Sequence, residues 1–266
     1  MADISVLTKP LAQETAVELL ANGQKVAVLM CTPHNLDDLA VGHLFSRGMI
    51  NNPDRVLTIG ACADMRVMSV IAPGALAEDS FGLGQVIASG CCSGETQSDI
   101  SGLKKLEIGS RQTSLKALKN WCRTMFLSAE LYPATGGLHC AALAVPKATN
   151  KMEQLFEYNA YEKLPQDCNY MVVREDVGRH NAVDKVLGKA FMDRIDFSSA
   201  CLLTSGRIAT DMVLKAAVAG IPVLVSRSIP TTSASALATK VGISLVGRIT
   251  DRQSIVYTYP ERIRME

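Results

Sequence analysis

The feature that most constrains the fold is a regular alternation of two patterns along the second half of the chain. Short apolar runs that end in polar turns alternate with segments whose apolar residues recur at helical spacing. Such alternation is typical of a mainly parallel sheet covered by helices on both faces. We therefore predict an α/β fold there. An earlier helix is expected to begin after the capping residue Ser114 and to end near Pro133.

The first part of the chain has a different pattern. A strand predicted over residues 24–30 runs into one helical segment, and two short strands follow over residues 55–62 and 65–71. A chain of 266 residues is near the size at which a single core begins to divide. We therefore predict a smaller α+β lobe over residues 1–112 and a larger α/β lobe over residues 113–266.

Charge and hydropathy restrict the partners and the compartment. The formal net charge of +1 argues against binding nucleic acid through bulk electrostatics, so an anionic ligand must be met by a local cluster. The N-terminal sequence lacks the basic start and apolar run of a secretory signal. No stretch approaches the roughly 18 apolar residues of a membrane span. We expect a cytoplasmic protein that binds neither nucleic acid nor a membrane.

The chain has eight cysteines, which a cytosolic protein keeps reduced. Several lie within apolar segments and are expected to be small buried hydrophobes, namely Cys31, Cys62, Cys122 and Cys201.

Cys91 and Cys92 lie instead in a segment rich in glycine, serine and polar residues, which we predict to be an exposed loop. A thiol nucleophile or sulfur carrier needs exposure and mobility, and such a loop provides both. The adjacent Glu95 would not lower a thiol pKa, so activation must come from elsewhere in the fold. The alternative is a pair of half-buried small residues in a turn, which we rank slightly below the functional interpretation.

Three polar turns directly follow predicted strands, where α/β sheets bind ligands. The first turn opens a helix, whose free N–H groups and dipole favour an anion. It carries Glu175, Asp176, Arg179, His180 and Asn181, and the next turn carries Ser205 and Arg207. The third turn has the sequence SRSIPTTSAS. Each residue alone could simply cap a helix or form an ion pair. The turns taken jointly favour anion binding.

Two further segments are candidate site elements. Arg248 and Arg252 flank a turn and suit bidentate contact with phosphate, although a solvated surface pair is the commoner arrangement. His139 precedes Cys140, but the chain has no partner motif for a zinc site. We expect no metal. We interpret His139 first as a packed or hydrogen-bonded residue, and second as one that polarises a cysteine or contacts a ligand.

These motifs, in this order, resemble the FdhD family of sulfurtransferases that act in formate dehydrogenase maturation. The matching segments are MCTPHNLDDLAVGHLFSRGMI, ATGGLHCAAL, REDVGRHNAVDKVLG, TSGRIATDMVLKAAVAGIPVLVSRSIPT and LVGRITDRQSIVYTYPERI. They span nearly the whole chain.

The resemblance implies a fold and a function that composition and spacing do not supply. The implied fold is a cytidine-deaminase-like three-layer α/β lobe with an additional small lobe, in a homodimer. The implied activity takes persulfide sulfur from a cysteine desulfurase and passes it to the bis(molybdopterin guanine dinucleotide) molybdenum cofactor, which then enters formate dehydrogenase. Cys91 matches the persulfide-bearing cysteine. The segment matched to cofactor binding consists of Arg248, Ile249, Thr250, Asp251, Arg252 and Gln253, and we add Arg179, His180 and Arg207 as phosphate contacts.

One departure from the family pattern concerns the cysteine segment. Many members have C-x-x-C there, whereas this chain has Cys91 next to Cys92 and Gly94 in place of the second cysteine. A vicinal pair is poorly shaped for an ordinary disulfide, and either thiol could be the sulfur acceptor. Two other interpretations are a cofactor-binding chaperone without a covalent sulfur step, and a zinc-dependent deaminase or hydrolase, for which the ligand spacing is missing.

Overall fold

The computed structural model describes residues 10–74, 103, 105–107, 112–147 and 164–265. The first of its two larger sheets has four strands in the order β2-β1-β4-β3. They are β1 (Thr15–Ala21), β2 (Gln24–Cys31), β3 (Thr58–Ala61) and β4 (Val67–Ile71). β1 pairs antiparallel with β2 and parallel with β4, and β3 pairs antiparallel with β4. Helix α1 (Leu36–Phe45) follows β2 and packs on this sheet.

Strand β1 was not predicted from the sequence. Its residues, TAVELLA, are mostly good helix formers, but alternate side chains are buried at Val17, Leu19 and Ala21. β1 lies between β2 and β4, so pairing on both sides outweighs its local preference.

The second sheet has six strands in the order β11-β10-β9-β8-β6-β7. They are β6 (His139–Pro146), β7 (Cys168–Asp176), β8 (Cys201–Thr204), β9 (Val223–Ser226), β10 (Ser244–Gly247) and β11 (Ile255–Val256). Two further short strands, β5 (Thr113–Ser114) and β12 (Ile263–Arg264), pair with each other.

The α/β class is confirmed, but the prediction of a mainly parallel sheet is wrong. β8, β9 and β10 are parallel neighbours, whereas β6 is antiparallel to both β7 and β8, and β11 is antiparallel to β10. β7 and β8 therefore run in the same direction and are joined through helix α4, but β6 lies between them in the sheet. Strand patterns along a sequence do not reveal which strands are neighbours in the sheet.

Helices cover both faces of the larger sheet, as predicted. Alternate strand residues such as Leu143 and Leu202 face a core shared with helices α4 (Arg179–Met192), α5 (Thr210–Ala219) and α6 (Thr232–Val241). The residues between them, such as Ala142 and Leu203, face the opposite core, which contains α2 (Leu115–Ser128).

Helix α2 begins as predicted, because the Ser114 hydroxyl accepts a 3.0 Å hydrogen bond from the Ala117 N–H. It ends at Ser128 rather than near Pro133. Pro133 belongs instead to a separate short helix, α3 (Leu131–Thr135). The first three residues of α3 tolerate a proline because their N–H groups have no helical acceptor.

Helix α1 lies against α4, so the core residues of the four-stranded sheet and of one face of the six-stranded sheet are contiguous. Among the described residues, no helix combines the length and the apolar character that a membrane crossing needs.

Candidate functional site

The polar turns that follow β8, β9 and β10 are joined to one another by hydrogen bonds. The Ser226 hydroxyl donates to the Gly206 carbonyl at 2.5 Å, which links the turns after β8 and β9. The Arg248 N–H donates to the Ser228 carbonyl at 2.9 Å, which links the turns after β9 and β10. Parallel strands end at the same edge of the sheet, so these turns form one continuous surface.

Arg179 adds the start of helix α4 to this surface. A Cβ built on Gly206 would lie 3.0 Å from the Arg179 Cβ and 3.1 Å from its Cδ, so the arginine stem packs on the Gly206 backbone. The Arg179 Nε is buried and has no hydrogen-bond partner within the described part of the chain. The N-cap Gly178 supplies no side-chain acceptor to α4, so its first N–H groups are also free of a side-chain cap.

His180, the next residue, joins the starts of two helices. Its Nε2 lies in ion-pairing contact with a carboxylate oxygen of Asp211 in the first turn of α5. Burial pushes the pKa of Asp211 upwards, but the contact with His180, the Met212 N–H and the charge of Arg179 together outweigh burial, so this pKa is lowered overall. Asp211 therefore offsets any charge that His180 carries.

His139 lies at the start of β6, next to the turn after β8. Its Nδ1 is 3.2 Å from the Ser205 Oγ, which also accepts a 3.1 Å hydrogen bond from the Cys140 N–H. Burial lowers the pKa of His139, and the charges of Arg179, His180 and Arg227 lower it further. These effects favour the neutral form of the His139 imidazole.

Arg227, in the turn after β9, was missed as an individual site residue. Its guanidinium carbon lies 5.7 Å from the ring centre of Phe126, and its Nη1 donates to the Tyr132 hydroxyl at 3.1 Å. These contacts hold an exposed cation beside the turn after β8. The pattern SRSIPTTSAS indicated the turn, but the aromatic partners come from α2 and α3, far away in sequence.

The segment matched to cofactor binding has two kinds of residue. Ile249 is buried in the core under α2, so its side chain anchors the turn. The other side chains are exposed, at Arg248, Thr250, Asp251, Arg252 and Gln253. The exposed Arg207 lies in the neighbouring turn after β8.

Lys119 of α2 also reaches this segment, because its Nζ donates to the Asp251 carbonyl at 3.4 Å. The exposed arginines of the segment therefore have another cation beside them.

Several residues of the REDVGRHNAVDK motif have a structural role instead of a binding role. The Asp176 carboxylate accepts from Gly178 N–H and Asn181 Nδ2 at 2.8 and 3.0 Å, and it lies 2.6 Å from the Lys185 Nζ. It also accepts from the Thr32 N–H at 3.1 Å, which ties the end of β2 to the end of β7. These groups are buried, so their role is to join the two sheets.

Glu175 contacts the start of helix α3. Its carboxylate accepts from three N–H groups at the start of α3, those of Glu130, Leu131 and Tyr132, at 2.5 to 2.9 Å. Glu175 thus caps α3, and it lines a cavity of about 450 Å³ together with residues of α2 and β7.

The cysteines of the described residues divide into two groups. Burial raises the pKa of Cys31, Cys122 and Cys201 to about 12, so these thiols are protonated structural residues, as predicted. The prediction for Cys62 is wrong. This thiol is exposed in the β3–β4 turn, where it donates to Asp64 Oδ1 at 2.7 Å and accepts from the Val67 N–H at 3.0 Å. Cys91 and Cys92 lie outside the described residues.

The arrangement is suited to binding an anion. Arginines from four adjacent segments and the N–H groups at the start of α4, which have no side-chain cap within the described residues, provide donors that match phosphate oxygens. Within the described ranges, no three His, Cys, Asp or Glu side chains cluster in a way that could hold a metal ion.

Comparison with known proteins assigns the chain to a family. The FdhD/NarQ family matches residues 12–154 and 162–264. A sulfur carrier protein FdhD from Mycobacterium tuberculosis is 32% identical, over 97% of this chain and 94% of that protein. One from Geobacillus kaustophilus is 30% identical, over 95% of this chain and 89% of the relative.

A solved structure has a similar fold. The crystal structure of a putative formate dehydrogenase accessory protein from Desulfotalea psychrophila matches with a TM-score of 0.70 and 27% identity, over 96% of this chain and 90% of that one. The fold and the motifs thus define the class of FdhD-like accessory proteins. This chain belongs to the FdhD/NarQ family.

Proposed function

We propose that this protein is a sulfur carrier, a sulfurtransferase that accepts persulfide sulfur from a cysteine desulfurase and delivers it to the bis(molybdopterin guanine dinucleotide) cofactor for formate dehydrogenase. The observation that carries the proposal is the near full-length match to relatives named sulfur carrier protein FdhD. The cofactor is the cargo of this reaction and not a resident group.

The sulfur-accepting group in this proposal is Cys91 or Cys92. The other cysteines support this choice by exclusion, because the buried thiols of the described residues have raised pKa values and lack the thiolate needed for attack. Cys62 is exposed in the β3–β4 turn, where its thiol is held by a hydrogen bond to Asp64 Oδ1.

The loading step is a thiol exchange without net oxidation. The thiolate of Cys91 or Cys92 attacks the outer sulfur of the desulfurase persulfide, and a new S–S bond forms. The original S–S bond breaks, and the desulfurase cysteine leaves as a thiolate with the electron pair of that bond. One sulfur atom is transferred, and the persulfide proton stays with it.

The exposed arginines of the turns would hold the nucleotide end of the cofactor. Arg248 and Arg252 come from the segment matched to cofactor binding. Arg207 lies in the turn after β8, and Arg179 and His180 begin helix α4, with Arg179 packed on that turn. A guanine dinucleotide carries phosphates that pair with guanidinium groups through charge-assisted hydrogen bonds. Holding this end places the molybdenum for sulfur delivery.

The proposal includes the partners and setting that the resemblance implies. The partners are a cysteine desulfurase as donor and formate dehydrogenase as recipient, and the protein acts as a cytoplasmic homodimer with a cytidine-deaminase-like larger lobe. The solved relative supports the formate dehydrogenase link, since its name assigns it as an accessory protein of that enzyme.

The test is peptide mass spectrometry after incubation with a cysteine desulfurase and cysteine. We expect an added sulfur on the peptide that contains Cys91 and Cys92, and its loss in the double alanine variant. Cys62→Ala is the matched control, because it removes an exposed thiol and should leave the added sulfur in place. The single variants identify the acceptor.

A cofactor-binding chaperone without a covalent sulfur step is the second candidate. It predicts that the double alanine variant still activates formate dehydrogenase and that no sulfur is added by an active desulfurase. Either result would contradict the sulfur-carrier proposal.

A further inference from the structure

His139 differs from the other cationic or ionisable groups of the site. The arginines are permanently charged, and His180 is in contact with Asp211. His139 is half-buried and is fixed on one side by the Ser205 hydroxyl, 3.2 Å from its Nδ1.

The charged groups that face His139 come from three elements. Arg179 and His180 belong to α4, Arg227 to the turn after β9, and Asp176 to the end of β7. Of these groups within the described residues, Asp176 favours the protonated ring, and its carboxylate is already paired with Lys185. The surroundings of His139 therefore disfavour a proton for as long as they contain no added anion.

We propose that His139 contacts the phosphate-bearing end of the cofactor and takes up a proton when this anion binds. This inference rests on the proposed function, because it assumes that the arginine-bearing turns hold the nucleotide end. It makes His139 a binding residue, which the family motif for the cofactor does not include.

The hydrogen bonds of Ser205 can accommodate the protonated ring. The Ser205 Oγ accepts from the Cys140 N–H at 3.1 Å, and a hydroxyl oxygen can accept two hydrogen bonds. It can therefore also accept from Nδ1–H of a protonated His139. Nε2–H is then available to donate to a phosphate oxygen. The proton comes from solvent, and no covalent bond forms or breaks.

The direction of the pH dependence follows from the charges. A bound dianion opposes the charges of Arg179 and Arg227 and so raises the pKa of His139 above its lowered value in the free protein. Between these two pKa values the complex holds more protons than the free protein. Affinity therefore increases as the pH falls through this interval, by up to about tenfold per pH unit for one proton.

The experiment is isothermal titration calorimetry with guanosine diphosphate, in buffers of different ionisation enthalpy and at several pH values. The variants are His139→Asn, whose amide can still bond to Ser205, and the matched control His34→Asn, which removes an exposed histidine. The phosphate of the probe titrates with a pKa near 6, but it does so equally with every variant. The difference between variants therefore reports on the protein.

We expect the wild type and His34→Asn to take up more protons than His139→Asn, by up to about one proton per site, with a steeper gain in affinity at lower pH. If the wild type and both variants bind guanosine diphosphate with equal proton uptake, the inference about His139 is wrong, but the proposed cofactor site is not contradicted. Absence of guanosine diphosphate binding to the wild type would overturn both.

A direct measurement avoids dependence on the folding of a variant. NMR titration of the His139 ring in the wild-type protein should give a higher pKa with guanosine diphosphate than without it. An unchanged pKa in the saturated complex would contradict proton uptake at this residue.

Discussion

Gly42 of α1 and Gly188 of α4 lie at a helix crossing that has no room for a side chain. A Cβ on Gly42 would lie 1.7 Å from the Asp184 carbonyl oxygen, and a Cβ on Gly188 would lie 2.0 Å from the Asp38 carbonyl oxygen. Backbone therefore packs on backbone where the two helices cross. This contact sets the position of α1, and with it the smaller sheet, against the helix that carries Arg179 and His180.

Replacing Gly188 by alanine should destabilise the protein by about 3 kcal/mol or more, since an added methyl group at a packed contact costs about 1–3 kcal/mol and here meets backbone that cannot rotate away. Urea unfolding measures the change. Gly60→Ala is the control, because a Cβ there would have no heavy atom within 4 Å, and it should change the free energy of unfolding little. Equal effects of the two substitutions would contradict the close crossing.

The buried Lys185–Asp176 pair should respond strongly to loss of one partner. Lys185→Met leaves the Asp176 carboxylate buried without its cation, which costs about 3–5 kcal/mol. A double-mutant cycle with Asp176→Asn should give a coupling free energy of about 1 kcal/mol or more. The same cycle on the exposed Lys25–Glu18 pair should give about 0–1 kcal/mol. Similar coupling in both pairs would refute the structural role assigned to Asp176.

Stability should fall in mild acid because of His43. Burial lowers the pKa of this side chain from 6.5 to about 4, so between these values the unfolded chain binds a proton that the folded protein does not. The free energy of unfolding therefore decreases as the pH falls from 6.5 to 4, by about 3 kcal/mol at most. Urea unfolding at a series of pH values would show a shallower dependence for His43→Gln. An unchanged slope in that variant would assign the acid sensitivity to other groups.

Arg248 and Arg252 should each contribute to nucleotide binding. A hydrogen bond to a charged group is worth about 1.5–3 kcal/mol, so Arg248→Ala or Arg252→Ala should weaken guanosine diphosphate binding by about 10- to 100-fold. The exposed Arg264 lies on β12, and Arg264→Ala is the control for a general loss of positive charge. Calorimetric affinities at two salt concentrations would test this. An equal loss in the control variant would point to bulk electrostatics.

Local sequence patterns identified much of the fold. The helix begun by Ser114 and the strand–helix alternation after it were predicted correctly, because capping and side-chain periodicity depend on near neighbours. The strand β1 and the antiparallel position of β6 were not predicted. Both depend on pairing with strands that are distant in the chain, and periodicity carries no information on such partners.

The candidate site, like the fold, could be predicted only in part from the sequence. The sequence located the polar turns and, through family resemblance, the Arg248 and Arg252 segment. It did not separate Arg179, which packs along the shared surface, from Asp176, which joins the sheets, although both belong to one motif. A side chain's role depends on the direction in which its backbone presents it.

The sequence by itself determined the α/β class, the family, and the set of polar turns and cysteines from which a function can be argued. Only the tertiary structure decided which of those turns meet and which charges are neutralised by a partner. It also brought His139 and Ser205, which are distant in sequence, within 3.2 Å of each other. The reason is physical: local propensities act over a few residues, whereas hydrogen bonding, burial and charge act between any groups that the fold brings into contact.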